Sequence, residues 1–266
     1  MPSGSVFTDT AARKLEAVYQ TPDVVAQRRE TLRALAIRPG ERVLDVGAGP
    51  GLLVAELAQA VGAAGHVTGL DSNPHMVART RQRCAGQPLA QRVTVLQGDA
   101  TALPLADASF DVAVSTQVYE YVEDIRSALV ELYRVLRPGG RALILDTDWD
   151  SLVWHAADRA RMRRVLDAWN QRFADPHLPA TLAARLRAAG FAITRRAVLV
   201  LFNPEYDPDT YSVTNSEIIA DFVVGRQGLT SEDVRDWADE LRQLGREERY
   251  FFSLNRYLFL LVKPVL

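Results

Sequence analysis

Arg42-Val43-Leu44-Asp45-Val46-Gly47-Ala48-Gly49-Pro50-Gly51 is the stretch that decides the reading of this chain. An apolar run ends in a glycine-rich turn, and a helical pattern follows from Leu52 to Val61. Glycine has no Cβ, so the turn can be tight and another molecule can approach its backbone closely. The helix that follows presents unpaired N–H groups and a positive dipole end to whatever occupies the turn. Open α/β sheets hold nucleotide-like ligands in this way. Gly69-Leu70-Asp71-Ser72-Asn73 ends the next strand and places Asp71 20 residues after Gly51, where a carboxylate can accept both hydroxyls of a ribose.

Size and composition narrow the class. The chain has 266 residues, a net charge of −2, 48% hydrophobic and 24% charged residues. That is ample for a full core and ordinary for a globular protein. The near-neutral charge argues against a dedicated nucleic-acid binder. Cys84 is the single cysteine, so neither a disulfide within the chain nor a cysteine metal site is expected. The histidines His66, His75, His155 and His177 are scattered, and no metal is predicted. Met1–Thr10 lacks the basic start and apolar core of a secretory leader. No membrane span is expected, and the cytoplasm is the default location.

From Pro39-Gly40 onward, strand and helix signals alternate. Strands are expected at Val43–Val46, His66–Leu70, Val93–Gln97, Phe110–Ser115 and Arg141–Leu145. Helices are expected at Leu52–Val61, Pro74–Cys84 and Ile125–Leu136. This rhythm implies parallel strands with right-handed crossovers. Later the rhythm loosens. Arg159–Phe173 and Thr181–Ala189 read as helices and Ile193–Phe202 as a strand. Ser216–Val224 and Ser231–Leu244 read as helices, and Arg249–Val262 as a final strand. Asp9 to about Leu35 reads as one or two helices broken at Pro22. The arginines Arg159, Arg161, Arg163 and Arg164 read as a solvated helix face.

Several motifs stand in one order. They are Asp45-x-Gly47-x-Gly49-x-Gly51, Asp71 at the second strand end, Gly98-Asp99-Ala100 with Ser109-Phe110-Asp111-Val112, and Leu136-Arg137-Pro138-Gly139-Gly140. In this order they resemble the class I S-adenosylmethionine-dependent methyltransferases over about residues 40–262, and most of all the ubiquinone/menaquinone C-methyltransferase branch. The resemblance implies a Rossmann-like α/β fold: a seven-stranded, mostly parallel sheet, helices on both faces and a helical cap. It also implies S-adenosyl-L-methionine as cofactor. Gly47, Gly49 and Gly51 would let the loop touch the methionine part, and Asp45 would engage its amino group. Asp71 would hold the ribose, with Ser72 beside the adenosine and Met76 covering it. Asp99 and the Ala100 N–H would read the adenine, and Gln117 would line the methyl side.

The expected organisation is an N-terminal helical lid at 1–38, a core at 39–202 and 249–266, and a cap insert at 203–248. The insert and its surroundings carry Tyr206, Tyr211, Phe222, Val223, Val224 and Trp237, with Trp149, Trp154, Trp169 and Phe173 upstream. A small, apolar or aromatic substrate follows. Candidate groups near the acceptor are His155 and Tyr121, with Tyr119 and Glu120 beside them; His155 titrates in the useful range. A homodimer is allowed for. Two other function classes stay open: a cyclase or non-catalytic binding protein on the same scaffold, and an NAD-dependent oxidoreductase, which Leu52 disfavours because it stands where G-x-G-x-x-G has its last glycine.

Overall fold

A computed structural model describes residues 9–86 and 88–265; the first eight residues of the expected lid, and with them most of the segment read for a leader, lie outside the described residues. The strand β1 (Arg42–Val46) occupies the middle of the sheet, parallel to β2 (His66–Asp71) on one side and β4 (Phe110–Thr116) on the other. Outside β2 lies β3 (Val93–Gln97), and beside β4 lies β5 (Leu136–Thr147), both parallel to their neighbours. The hairpin partner β8 (Phe252–Val262) runs antiparallel to both β5 and β7 (Ala192–Asn203). All seven expected strands are present. An additional two-residue strand, β6 (Val153–Trp154), pairs with the start of β8 beyond the end of β5.

Alternation along the central strands divides the core between the two faces of the sheet. Val43, Val112, Val114, Leu143 and Leu145 point to one face, where α2 (Pro22–Leu35) and α3 (Leu52–Ala60) cover them. Leu44, Val46, Ala113, Ala142 and Ile144 point to the other, under α5 (Ile125–Val135) and α7 (Leu178–Ala188). Strands buried on both faces must be apolar throughout, which is why β1 reads as a continuous run. After β1 the chain builds outward through β2 and β3, then returns to place β4 on β1's other side. The order reverses between β1 and β4, so a crevice opens at their C-terminal ends.

A third apolar cluster forms the cap. It joins α1 (Asp9–Gln20), α6 (Arg159–Asn170), α8 (Tyr211–Val223), α9 (Ser231–Arg246) and the start of β8 around Trp149, Trp154, Trp169 and Trp237. Trp154 meets Trp237 edge-on at 5.6 Å. Thr230 and Asp233 close a reciprocal capping box on α9, as the early acids there suggest.

Local differences from expectation have identifiable causes. α8 begins at Tyr211, five residues early, because distant side chains cap it: Asp23 accepts from Tyr211 N (2.9 Å) and Asn203 from Ser212 N (3.1 Å). Pro138-Gly139-Gly140 is no free turn. It is the bulged start of β5, with Gly139 N–H donating to Lys263 O and Lys263 N–H to Gly140 O. The arginine face of α6 is not all solvated. Arg161 pairs with Glu240 at 2.7 Å and Asp236 at 3.4 Å, and Arg164 with Asp233 at 3.0 Å, fastening α6 to α9. Asp111, expected to be structural, accepts from Arg42 N and pairs with Arg137.

Arg141 on β5 fastens α2 to the sheet. It donates to Leu35 O (2.7 Å) and Ala36 O (2.8 Å) and forks onto Glu41 (2.8 Å). Burial acts upward on the Glu41 carboxyl, but Arg141 and Arg38, whose backbone N–H also donates to it, together hold it below the ordinary range. Removing one partner of a partly buried pair strands the other. Arg141→Ala is therefore expected to lower unfolding free energy by about 3 kcal/mol in urea titration, with amide protection lost first in α2.

Candidate cofactor and acceptor site

At the C-terminal ends of β1, β2 and β4 the crevice widens into a cavity of ≈ 710 Å³. Its lining includes Asp45, Gly47, Gly49, Asp71, Ser72, Met76, Asp99, Ala100 and Gln117. Nine of the ten expected binding positions are thus brought together. Gly47 (φ +77°) and Gly49 (φ +54°) hold left-handed backbone that side-chain-bearing residues avoid. A Cβ on Gly47 would overlap the Val118 side chain, whereas one on Gly49 would meet only Tyr19 at 3.8 Å and project into open cavity. Gly51 does not line the cavity. Its place is structural, since a Cβ there would stand 2.8–2.9 Å from Thr80 on α4 (Pro74–Arg83).

Asp71 ties the loop to the second strand. Its carboxylate accepts from Gly49 N and Asn73 N, both at 2.8 Å. Capping of α4 falls to Asn73, which accepts from His75 N and Met76 N. Burial raises the Asp71 pKa against the pull of those two N–H donors. Asp45 is 2% exposed, and its Oδ2 has no partner among the described residues. Burial, then the Asp71 charge, push its pKa up to about 7. Asp99 accepts from the Thr101 N–H and hydroxyl at 2.7 Å, which hold its pKa down. Gln117 sits at φ +57°, fixed by Leu145 O (2.8 Å to its N–H, 3.1 Å to its side chain) and by the Thr147 hydroxyl. Non-glycine backbone of this kind persists where the surroundings over-determine it.

The catalytic expectations divide. Tyr121 lines the cavity, tilted against Phe173 at a 5.0 Å ring separation. His155 does not. It follows β6, its N–H donates to Phe251 O, and it lines neither cavity. The aromatic residues also separate: Trp149, Trp169, Phe173 and Tyr211 reach cavity walls, while Trp154, Trp237 and Val223 are spent on cap packing.

Comparison with known proteins agrees with this geometry. A family described as "Methyltransferase domain" matches residues 44–144. The demethylmenaquinone methyltransferase of Listeria monocytogenes serotype 4a is 31% identical over 186 residues, 64% of this chain and 78% of its own length. The chain belongs to the class I S-adenosylmethionine-dependent methyltransferase family. An uncharacterized 37.1 kDa protein of transposon TN4556 in Streptomyces fradiae is 41% identical over 62% of this chain and 49% of its own. The chain spans about half the length of several of the curated relatives it matches. Two solved structures share the fold. The phosphoethanolamine N-methyltransferase 2 of Haemonchus contortus, solved with S-adenosyl-L-methionine, has a TM-score of 0.64 at 20% identity, covering 97% of this chain and 58% of that one. The [4+2]-cyclase SpnF has a TM-score of 0.61 at 23% identity, covering 91% and 81%.

Beyond the family's motifs, a small inner chamber of ≈ 30 Å³ adjoins the cavity and shares Tyr19, Gln117, Tyr121, Arg172 and Arg256 with its lining. Glu120, Arg172, Arg256, Tyr19 and Tyr211 surround it. Of these, sequence reasoning pointed only to Glu120 and Tyr211. Glu120 is 1% exposed; burial, then Asp146, drive its pKa well up. Asp146, at the end of β5, accepts from Val118 N (2.9 Å), and burial raises its pKa to about 7. A sequence signal for Arg256 did exist. Phe252, Leu254, Arg256 and Leu258 share the buried face of β8, so an arginine occupies a core register position.

Gly49→Ala should leave the protein folded at a strain cost of about 1–2 kcal/mol, because only open space meets its Cβ. Binding of S-adenosylhomocysteine should fall by about tenfold or more in calorimetry. Unchanged binding would remove Gly49 from the ligand's path.

Proposed function

We propose that this chain transfers the methyl group of S-adenosyl-L-methionine to a small, apolar or aromatic molecule. The observation that carries this reading is Asp45. A buried carboxylate with one oxygen unpartnered, opening on a glycine loop, is costly unless a ligand brings a positive group to it. The cofactor's ammonium fits that need. Gly47 and Gly49 would border its methionine part, Asp71 its ribose, Ser72 and Met76 its adenosine, and Asp99 with Ala100 its adenine. Bound there, the cofactor supplies a sulfonium methyl, already an activated electrophile.

The chain's own contribution is then orientation and exclusion of water, and orientation alone can contribute on the order of 7–11 kcal/mol. Gln117, held rigidly at the end of β4, would position the methyl side. Tyr121, Phe173, Trp149 and Trp169 would hold the acceptor's apolar body. α1 supplies Leu15 and Tyr19 to the cavity wall and would act with residues 203–248 as the cover. Under the same proposal the protein works in the cytoplasm, on a small molecule rather than nucleic acid, with a homodimer as the assembly to test. Among the described residues no helix is long and apolar enough to cross a membrane.

One observation favours a second reading. Glu120, the one carboxyl lining the inner chamber among the described residues, is pushed well toward its protonated form, so it is a poor base there. A protein that binds the cofactor and only shapes its substrate, as a cyclase does, needs no base. Screening aromatic acceptors with a radiolabelled methyl donor separates the two: label transfer supports the first, and binding without transfer the second.

Cofactor affinity should depend on pH through Asp45. Its carboxyl is half protonated near pH 7, and the ligand's ammonium needs the ionised form. Binding should therefore release a proton below pH 7 and be about tenfold weaker at pH 6 than at pH 8. Calorimetry in two buffers of different ionisation enthalpy reads both. Asp45→Asn should bind weakly with no such slope. A pH-independent affinity in the native protein, or tighter binding of NAD than of S-adenosylmethionine, would overturn the assignment.

A further inference from the structure

The inner chamber is more cationic than an apolar acceptor requires. Arg172 and Arg256 each line both the main cavity and the chamber. Neither pairs with a carboxylate within 4.0 Å among the described residues; Arg256 Nη1 donates to the neutral Gln27 Oε1, and each arginine has a buried Nε without a hydrogen-bond partner. Arg256 is 2% exposed and lies over the Tyr211 ring at 4.7 Å. Arg172 lies over Trp169 at 5.1 Å, Phe222 at 5.7 Å and Tyr121 at 5.9 Å. Aromatic faces hold guanidinium groups in place without neutralising them. The acids nearest Arg256, Glu120 and Asp146, are themselves pushed toward their neutral forms by burial. Two positioned cations in a desolvated pocket favour an anion.

We propose that the acceptor is an aromatic compound carrying an ionised oxygen, phenolate or carboxylate, and that Arg172 and Arg256 hold this oxygen at the mouth of the small chamber while Tyr121 and Phe173, on the main cavity, hold the ring. This deepens the methyl-transfer reading and rests on it. An acceptor bound as its anion explains why no base is needed. Its electron pair forms the new bond to the methyl carbon as the carbon–sulfur bond breaks. That bond's electrons stay on sulfur, S-adenosylhomocysteine leaves as a neutral thioether, and no proton moves. The arginines serve the acceptor, not the cofactor, because the chamber shares only Gln117 with the expected cofactor wall.

The test compares 2-naphthoate with its neutral isostere 2-naphthamide, titrated calorimetrically into protein saturated with S-adenosylhomocysteine. The native protein should bind naphthoate at least tenfold more tightly. Arg172→Met and Arg256→Met should each cut naphthoate affinity tenfold or more and leave naphthamide within twofold, while Arg172→Lys keeps the preference. Circular dichroism checks folding; if Arg256→Met does not fold, Arg172→Met decides. Equal affinity for the two probes, binding of neither at millimolar concentration, or a preference that survives the methionine variants overturns the proposal. So does a loss confined to S-adenosylhomocysteine binding, which would assign the arginines to the cofactor. If the native protein binds no S-adenosylhomocysteine, the methyl-transfer reading fails, and the probe comparison on the protein alone still decides the anion preference.

Discussion

The site depends on two carboxylates that the sheet forces close together. Asp45 stands one residue before the end of β1, opposite Gly69 on the adjacent parallel strand, and Asp71 ends β2 two residues further on, with the glycine loop between them. Asp71 is stabilised by the loop itself through Gly49 N, so the carboxylate shapes the loop that a ligand would touch. Asp45 receives no such help. It is buried, near a like charge and short of one partner, so its pKa rises to about 7. A site arranged this way is unsatisfied without a cation and satisfied with one, and that difference is available as binding energy.

The cap meets the opposite condition. Its tryptophans and phenylalanines enclose cations instead of anions, and its polar groups belong to elements far apart in the chain. Arg256 comes from β8, Arg172 follows α6, Tyr19 ends α1, and Glu120 lies just past β4. Asp23 at the front of α2 caps α8 nearly two hundred residues later, so the N-terminal helices and the helices between β7 and β8 stand or fall together. One cavity thus carries both carboxylates, Asp45 and Asp71, and arginines, Arg172 and Arg256, in its lining. An asymmetry of that kind suits a reaction in which a cationic donor meets an anionic acceptor, because each is held by its own pole and their mutual approach removes charge.

Much of this was legible in the chain. Val43–Gly51 pointed to the fold class, and Asp71, Gly98-Asp99-Ala100 and Leu136–Gly140 following in the same order made the reading specific. Asp45, Gly47, Gly49, Asp71 and Asp99 were readable as a wall because each sits at a strand end, and strand ends on a parallel sheet all open to one side. Gly51 was over-read: the same pattern that puts two glycines at a ligand uses the third to admit Thr80. His155 was over-read because residue type says nothing about direction, and β6 leaves it outside both cavities.

What only the tertiary structure decided is the chemistry of the inner chamber. Arg256 looks in sequence like one charge in an alternating strand, and Arg172 like a helix-end cation. Their meaning comes from having no carboxylate within 4.0 Å among the described residues and from the rings that surround them, which are properties of packing between distant elements. Local sequence sets the direction of a strand and the conformation of a loop because those energies lie within a few residues. The burial that leaves a charge without a counterion is set by the whole fold, and appears only when α1, α6, α8 and β8 close around it.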